Sequence, residues 1–323
     1  MNQLLTEIKN KHYQLEKLIK KTPILSWDLE TKNNYLSNKT EVFLKAELFQ
    51  KTGTFKIRGV LSRLLSLSED EKQKGVVAGT GGNHGIALAY GAKLMNIKAT
   101  IVIPKTINPF RLNQIKAYDA EIIEVDNINL VLDQMNEIAK NQNKTVIHPY
   151  DHPLTSLGTA TLGYEFLNEA KNLEAIIVSV GGGGLISGVA MAAKEMNPDI
   201  KIYGVEPQKA DVLNQSLKAN KAIKLKHGAS SIADSLNAPE ALAYSFSLCQ
   251  KYVDEMVLVS DDEIKKSMTL AFEELKLAIE PACAASIAAL VGPLKTKIID
   301  KKVGVILCGS NIDFETFSKL CLN

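Results

Sequence analysis

The sequence alternates short apolar runs with segments of helical spacing, and this alternation continues through most of the chain. The runs 99–103, 175–180 and 303–307 place Val and Ile at consecutive positions, as in strands buried on both faces of a parallel sheet. Helical segments stand between them, as parallel connections require. The pattern predicts an α/β fold of two lobes, with parallel-rich twisted sheets flanked by helices and no flexible tether.

The predicted elements follow from the same periodicity and its Gly and Pro boundaries. Strands are predicted at 41–48, 75–79, 99–103, 121–125, 145–147, 175–180, 200–205 and 303–307. Helices are predicted at 7–20, 56–67, 83–95, 109–117, 129–141, 157–170, 185–196 and 313–320.

Charge and cysteine content exclude several classes of protein. The net charge is +2 over 323 residues, with acidic and basic residues intermixed, so the sequence offers no basic stripe for nucleic acid. The first 21 residues lack the apolar core of a signal peptide, and no apolar run is long enough to span a membrane. The four cysteines show no close pairs typical of zinc sites or secreted disulfides. We therefore expect a cytoplasmic protein.

Lys56 lies between Phe55 and Ile57, directly after the turn-forming residues Thr52, Gly53 and Thr54. Apolar neighbours at a strand-to-helix junction can desolvate an ammonium group, which lowers its pKa and frees a nucleophilic amine. By itself this stretch favours an ordinary lysine at a helix start. A reactive lysine needs support from other parts of the chain.

Three further loops follow predicted strands, where ligands bind in parallel sheets. Residues 78–85 read AGTGGNHG, and Thr80, Asn83 and helix N-terminal amides offer donors to an anion there; a plain turn is the alternative.

The second of these loops is Gly181–Gly184, which can form a nest of amides for a phosphate. This loop lacks the Lys-Ser/Thr pair of a nucleotide loop and the acidic residue of a dinucleotide site, so a small phosphate-bearing ligand fits better. Residues 308–311 read CGSN, and Cys308 alone favours a core cysteine.

A nucleophilic lysine, a phosphate nest and two ligand-facing loops together suggest pyridoxal phosphate, which needs a Schiff-base lysine, a phosphate cradle and a group at its ring nitrogen. The chain resembles the fold-type-II pyridoxal-phosphate enzymes, within the serine/threonine ammonia-lyase and serine racemase group. The resemblance covers nearly the whole length. It rests on the order of KTPIL (21–25), the lysine stretch, the Asn-His loop, HPYDHP (148–153), SVGGGG (179–184), GVEP (204–207), SIADS (231–235), IEPA (279–282) and CGSN (308–311).

The resemblance implies a role for each matching residue. Lys56 would form the Schiff base and act as the base at Cα, Phe55 would line the cofactor, and Asn83 would hydrogen-bond the ring hydroxyl. Cys308 would face the pyridine nitrogen, where relatives often place Ser. The phosphate would be held by Gly181, Gly182, Gly183, Gly184 and Leu185, and the substrate carboxylate by Thr80, Gly81, Gly82, Asn83 and His84.

The resemblance also implies domains and assembly. Residues 1–71 and 152–323 would form a discontinuous, large cofactor-binding domain, and residues 75–151 a small mobile domain on the substrate side. A homodimer or homotetramer is expected, with a small-molecule amino acid as substrate and neither nucleic acid nor membrane as partner. For a divalent cation (Mg or Ca), Glu206 and the Ala210 carbonyl match the relatives' ligands, but Val212 occupies the third ligand position. The sequence therefore disfavours that site.

Departures from the family pattern shape the predicted activity. Racemases of the group place a serine just before Gly82, where it protonates the opposite face of Cα; Gly81 stands there in this chain and disfavours racemisation. The chain ends at Asn323, without room for a C-terminal regulatory domain, which suggests a catabolic enzyme. We predict an ammonia-lyase that converts L-threonine, L-serine or both into 2-oxobutanoate or pyruvate and ammonia.

Several alternatives remain at this point. The substrate could be another β-hydroxy amino acid, such as hydroxyaspartate or phenylserine, because Thr159, Cys283 and Ser310 depart from the common pattern near the pocket. Other enzymatic alternatives are a serine racemase, a β-replacement enzyme and a threonine synthase. A non-catalytic ligand-binding homologue is a further alternative. The sequence leaves effector regulation and the physiological pathway open.

Overall fold

The structure, a computed structural model, describes residues 3–27 and 30–322. The strands in these ranges are β1 (Ile24–Ser26), β2 (Glu41–Ala46), β3 (Val76–Gly79), β4 (Ala99–Pro104), β5 (Glu121–Val125), β6 (Thr145–Val146), β7 (Ala175–Ser179), β8 (Lys201–Pro207), β9 (Glu255–Val259) and β10 (Lys302–Leu307). The α-helices are α1 (Gln3–Leu15), α2 (Lys56–Leu64), α3 (Glu69–Lys74), α4 (Asn83–Leu94), α5 (Pro109–Lys116), α6 (Val131–Gln142), α7 (Pro153–Glu169), α8 (Gly184–Met196), α9 (Val212–Ala219), α10 (Ala243–Tyr252), α11 (Asp261–Leu275), α12 (Pro281–Val291) and α13 (Phe314–Leu322).

A six-stranded sheet has the order β1-β2-β10-β7-β8-β9. Only the pairing of β1 with β2 is antiparallel; the other neighbours are parallel. The central strand β10 pairs Val303 with Val42 on one side and with Ala175 on the other. Because β2, β10 and β7 run side by side in one direction, the loops after Ala46, Leu307 and Ser179 leave the sheet at the same edge.

A four-stranded parallel sheet has the order β5-β4-β3-β6. Its strand β3 is buried up to Ala78 and leads through residues 80–82 into α4. Both sheets are parallel-rich and flanked by helices, which confirms the predicted fold class. The strands of this sheet all fall within 75–151, which we call the small lobe, and those of the six-stranded sheet fall within 1–71 and 152–323, the large lobe. The domain boundaries themselves stay a prediction.

The predicted elements that precede Val205 match observed ones with shifted ends. The first helix was predicted at 7–20 but ends at Leu15, because a turn follows in which Leu18 N–H donates to the Leu15 carbonyl. No element was predicted between 206 and 302, where the structure has α9 to α12 and β9. Helix α12 is apolar and buried on nearly all sides, so it lacks the amphipathic period that reveals a helix in a sequence.

A buried group of charged side chains anchors the helix that begins at Lys56. Arg58 donates from Nε to Glu47 Oε2 at 2.8 Å and from Nη2 to Glu165 Oε2 at 3.1 Å. Lys45 Nζ donates to Glu165 Oε1 at 2.6 Å. All four side chains are buried, and such charges are tolerated in a protein interior only when they are paired. The pairs connect α2 to β2 and α7 and thereby fix the position of Lys56.

Within the described residues, no helix combines the length and the apolar character needed to cross a bilayer.

Candidate active site

Lys56 is the first residue of α2, and its side chain is partly buried between the two lobes. Its Nζ donates to the Pro149 carbonyl at 3.2 Å and lies 5.1 Å from the centre of the Phe55 ring. Burial lowers the pKa of Lys56 to about 8, against the opposing influence of Cys308 and Glu280. The lysine therefore has the desolvated amine that a nucleophile or base requires near neutral pH.

The loop after β10 holds the lysine loop in place. Phe55 N–H donates to the Cys308 carbonyl at 3.1 Å, and Thr54 forms an antiparallel bridge with Gly309. The Cys308 side chain is buried. A hydrogen bond with the Cys283 thiol, together with burial, raises the pKa of the Cys308 thiol well above its ordinary value. Cys308 is thus a neutral thiol close to Lys56.

The tetraglycine loop joins β7 to α8 and contains a position that suits glycine alone. Gly183 has φ +90°, in the left-handed region that side chains disfavour. Gly184 begins α8, so unpaired backbone N–H groups of that helix face the loop. Amides arranged in this way can form a cradle for an anion such as phosphate.

Tyr150 packs directly on this loop. A Cβ atom at Gly182 would lie 2.5 Å from the Tyr150 ring, and one at Gly184 would lie 2.6 Å from Tyr150 Cβ. The Tyr150 hydroxyl donates to the Glu240 carbonyl at 3.3 Å. Close packing on Tyr150 therefore requires glycine at 182 and 184. Tyr150 also follows Pro149, whose carbonyl Lys56 contacts.

Asn83 begins α4, and its side chain crosses from the small lobe to the large one. Its Nδ2 donates to Glu280 Oε1 at 2.8 Å and to Ser235 Oγ at 3.3 Å. Its Oδ1 accepts from Asn311 Nδ2 at 2.8 Å. Burial raises the pKa of the Glu280 carboxyl group. These contacts hold the Asn83 amide in one orientation.

His84 is buried, and its ring Nε2 lies 2.7 Å from the Ile147 carbonyl. Burial and the positive charge of Lys56 lower the pKa of His84 to about 3, so the ring is neutral and Nε2 carries the proton. The remaining nitrogen, Nδ1, is an acceptor and cannot bind a carboxylate. In this loop the groups suited to a carboxylate are the Thr80 hydroxyl and the amides at the start of α4.

Comparison with known proteins identifies the family. The family described as "Pyridoxal-phosphate dependent enzyme" matches residues 15–309. The chain belongs to this family. It is 44% identical over 280 residues to phenylserine dehydratase of Ralstonia pickettii, covering 87% of this chain and 86% of the relative. It is 36% identical over 284 residues to L-threonine ammonia-lyase of Thermotoga maritima, covering 87% and 69%. The structure of maize serine racemase superposes with a TM-score of 0.90 at 33% identity, covering 98% of this chain and 95% of the other.

The enzyme depends on pyridoxal phosphate, and the residues present fit that cofactor. The amides of Gly181–Gly184 suit the phosphate group, the Lys56 amine suits the aldehyde, and the neutral thiol of Cys308 suits a pyridine nitrogen. The structure brings these three parts together from distant segments. Phe55, Asn83 and Leu185 remain predicted cofactor contacts.

One of the two predicted cation ligands, Glu206, accepts hydrogen bonds from backbone amides in the structure. Glu206 is buried, and its Oε1 and Oε2 accept from Leu213 N and Asn214 N, each at 2.8 Å. Burial raises the pKa of Glu206 to about 8. Both oxygens are thus engaged by the start of α9. No group of three or more His, Cys, Asp and Glu side chains suited to a metal ion occurs in 3–27 and 30–322. The cation contact of Glu206 and the Ala210 carbonyl stays a prediction, and we assign the cation no part in the reaction.

Some residues of the site were missed in the sequence, although their motifs were noticed. Glu280 and Asn311 lie in the IEPA and CGSN strings, and Ser235 ends SIADS. In the sequence, these three residues could be noticed only as polar residues within segments that are otherwise apolar or rich in glycine. Tyr150 lies in the HPYDHP string, but its role could not be predicted, because it depends on contact with Gly182.

The lowered pKa of Lys56 predicts how cofactor capture depends on pH. Only the neutral amine attacks an aldehyde, and it becomes the minor form below the pKa of about 8. For cofactor-free enzyme, we expect the rate of absorbance change on adding pyridoxal phosphate to rise about tenfold from pH 6 to pH 7 and to level off above pH 8. Nα-acetyl-lysine, whose one amine is an ε-amine of ordinary pKa, is the control, and its rate should keep rising beyond pH 9. If the rate of the enzyme also kept rising beyond pH 9, the lowered pKa of Lys56 would be contradicted.

Gly182→Ala is expected to impair cofactor binding. The new methyl group would collide with the Tyr150 ring and push apart the loop that holds the phosphate. Such overpacking costs about 1–3 kcal/mol, so affinity for pyridoxal phosphate should fall roughly 5- to 150-fold, measured by fluorescence titration. Gly81→Ala is the matched control, because a Cβ atom there meets only Pro104 at 3.7 Å. Equal affinities for the two variants would show that the Tyr150 contact is unimportant.

Proposed function

We propose that the enzyme is an ammonia-lyase that converts L-threonine, L-serine or both into 2-oxobutanoate or pyruvate and ammonia. The observation that carries the proposal is a basic lysine combined with a glycine at the position of the second acid–base group in racemases. Lys56 has an amine with a pKa of about 8, whereas the position that supplies the second acid in racemases is Gly81. A site with one proton-transferring group favours elimination over inversion.

Different residues of the site bind the cofactor, bind the substrate and transfer the proton. Bound pyridoxal phosphate supplies an aldehyde for the substrate amine and a ring that accepts electron density from Cα. Amides of Gly181–Gly184 hold the phosphate, and Thr80 with the amides at the start of α4 holds the substrate carboxylate. Lys56, displaced by the substrate amine, takes the Cα proton. The neutral thiol of Cys308 stabilises negative charge at Cα less than a carboxylate partner would, which favours prompt departure of the β-hydroxyl group.

Phenylserine is a second candidate substrate. The support is the 44% identity to the Ralstonia phenylserine dehydratase, together with aromatic side chains beside Lys56. His148 and Tyr150 pack edge to face with ring centres 4.6 Å apart, and a phenyl group can stack on such a surface. Hydroxyaspartate would add a second carboxylate. Arg111, which packs against Gly82 of the substrate loop, is already paired with Asp234.

A substrate screen tests the proposal. Purified enzyme with pyridoxal phosphate is incubated with L-serine, L-threonine, L-threo-phenylserine and L-threo-3-hydroxyaspartate, and 2-oxo acid and ammonia are both quantified, with and without magnesium. We expect equal amounts of the two products from serine or threonine and no requirement for magnesium. Turnover of phenylserine alone would favour the second candidate. Turnover of serine only when sulfide is added, with formation of cysteine, would instead show β-replacement.

We further propose a homodimer or homotetramer in the cytoplasm. The support is the family resemblance and the absence of cysteine pairs typical of secreted proteins. Sedimentation of the purified enzyme measures the assembly, and a monomer at micromolar concentration would contradict it.

A further inference from the structure

Arg111 of the small lobe is held by the large lobe through every nitrogen of its guanidinium group. Nη1 and Nη2 donate to Oδ2 and Oδ1 of Asp234, and Nε donates to the Asn311 carbonyl at 3.2 Å. The Arg111 side chain is 9% exposed and that of Asp234 is 57% exposed. Bidentate pairs of this kind fix geometry as well as charge. Arg111 lies on α5, so the pair joins the two lobes directly.

The same guanidinium group touches the loop proposed to bind the substrate carboxylate. A Cβ atom at Gly82 would lie 3.3 Å from Arg111 Nη1, so the arginine supports the backbone of that loop from behind. On the large-lobe side, Ser235 Oγ donates to Asp234 Oδ1 at 3.3 Å and accepts from Asn83 Nδ2 at 3.3 Å. A chain of contacts therefore runs from Arg111 through Asp234 and Ser235 to Asn83.

The SIADS string, residues 231–235, is built as a rigid support for this contact. Ser231 Oγ donates to Asp261 Oδ1 at 2.5 Å, and Asn237 Nδ2 donates to the Ser231 carbonyl at 2.9 Å. These bonds fix the segment to the start of α11 and position the Asp234 carboxylate. Residues 231–235 thus position the Asp234 carboxylate, a role that the sequence did not indicate.

We propose that Arg111 and Asp234 form a clasp that holds the small lobe closed and keeps the Gly81–Gly82 segment in position to bind the substrate. Arg111 is then a positioning residue. The expected changes in KM and kcat rest on the proposed function. The expected loosening of the contact between the lobes does not. Removing the clasp lowers the fraction of enzyme in the closed, binding-competent state, and apparent affinity falls by that fraction. Saturating substrate restores closure, so KM rises while kcat is largely retained.

A double-mutant cycle in the cofactor-loaded enzyme tests the clasp. Arg111→Ala is expected to raise KM for the best substrate of the screen about tenfold, with kcat changed by less than about threefold. Asp234→Ala should have a similar effect. The double variant should be no worse than Arg111→Ala alone, because the two side chains act as one unit. Arg111→Lys, which keeps the charge but loses the bidentate geometry, should fall between wild type and Arg111→Ala.

Two further measurements separate the clasp from general destabilisation. Lys105→Ala removes an exposed ion pair with Asp126 on the same lobe and should leave KM unchanged. The cofactor absorption band should be the same in all variants. Additive effects of the two single substitutions on KM, or an unchanged KM in Arg111→Ala, would overturn the proposal.

Amide hydrogen exchange tests whether the clasp holds the lobes together, and it needs no substrate. Amides in 80–85 and 109–116 of the cofactor-loaded enzyme should exchange faster in Arg111→Ala and Asp234→Ala than in wild type. If the enzyme turned over no substrate in the screen, the proposed function would fail while this result could still support the clasp. Unchanged exchange in both segments would overturn the clasp, whatever the activity.

Discussion

Replacing Lys56 by alanine is expected to lower turnover at least ~10⁴-fold, because one change removes both the amine that holds the cofactor and the base at Cα. Among residues 3–27 and 30–322, the Lys56 side chain donates to the Pro149 carbonyl alone, so its removal breaks little of the fold. Absorbance of the protein-bound cofactor should also be lost after dialysis. Turnover is measured as 2-oxo acid formation from the best substrate of the screen.

Two matched variants make the Lys56 result specific. Lys56→Arg keeps a positive charge but has no nucleophilic amine, and it should be as inactive as Lys56→Ala. Lys51→Ala removes a lysine from the same loop and should keep wild-type turnover. The reaction scheme would be wrong if Lys56→Ala kept both its cofactor absorption and its turnover.

Introducing serine at Gly81 is expected to give the enzyme racemase activity. A Cβ atom at Gly81 meets only Pro104, at 3.7 Å, which is ordinary van der Waals contact, so the fold can accept the side chain. The hydroxyl group would provide the acid–base group that this site lacks. Since positioned proton donors contribute roughly 10²–10⁴-fold, conversion of L-serine into D-serine should rise at least ~10²-fold above wild type, measured by chiral chromatography.

The control for this gain is Gly81→Ala, which adds the same Cβ atom without a hydroxyl group and should racemise no faster than wild type. Elimination should persist in both variants, because Lys56 is unchanged. Efficient racemisation by the wild-type enzyme would contradict the role assigned to Gly81. A Gly81→Ser enzyme that eliminates at the wild-type rate but forms no D-serine would show that residue 81 does not face Cα.

Local sequence patterns predicted the parts of the site that belong to single loops. The tetraglycine after a buried strand, Lys56 at a helix start and the Asn-His pair each follow a strand of a parallel sheet. Ligands bind beyond the carboxyl ends of parallel strands, so each loop could be identified by itself; the Asn-His loop follows β3 of the second sheet, and only the fold brings it to the other two. The order of strands along each sheet could not be predicted in this way, since β2, β10 and β7 are neighbours that lie far apart in sequence.

Contacts between distant side chains were decided by the tertiary structure. Asn83 and Glu280 are 197 residues apart, and Arg111 and Asp234 are 123 residues apart; neither residue type nor spacing indicates either pair. The same holds for Glu206, which matched a cation ligand in sequence but accepts two amides of α9 in the fold. The sequence shows the same glutamate whether its carboxylate binds a cation or accepts backbone amides. Only the neighbouring groups in the fold distinguish the two cases.

By itself, the sequence determined the α/β fold class, because apolar periodicity is a local property. Through the order of its motifs, which resembles a known family, it also gave the pyridoxal-phosphate dependence and the prediction that Lys56 is the reactive lysine. Only the tertiary structure decided how the lobes meet, why Gly182 must lack a side chain and why the ring of His84 is neutral. Those properties arise from burial and from contacts across long stretches of chain, which a linear pattern does not contain.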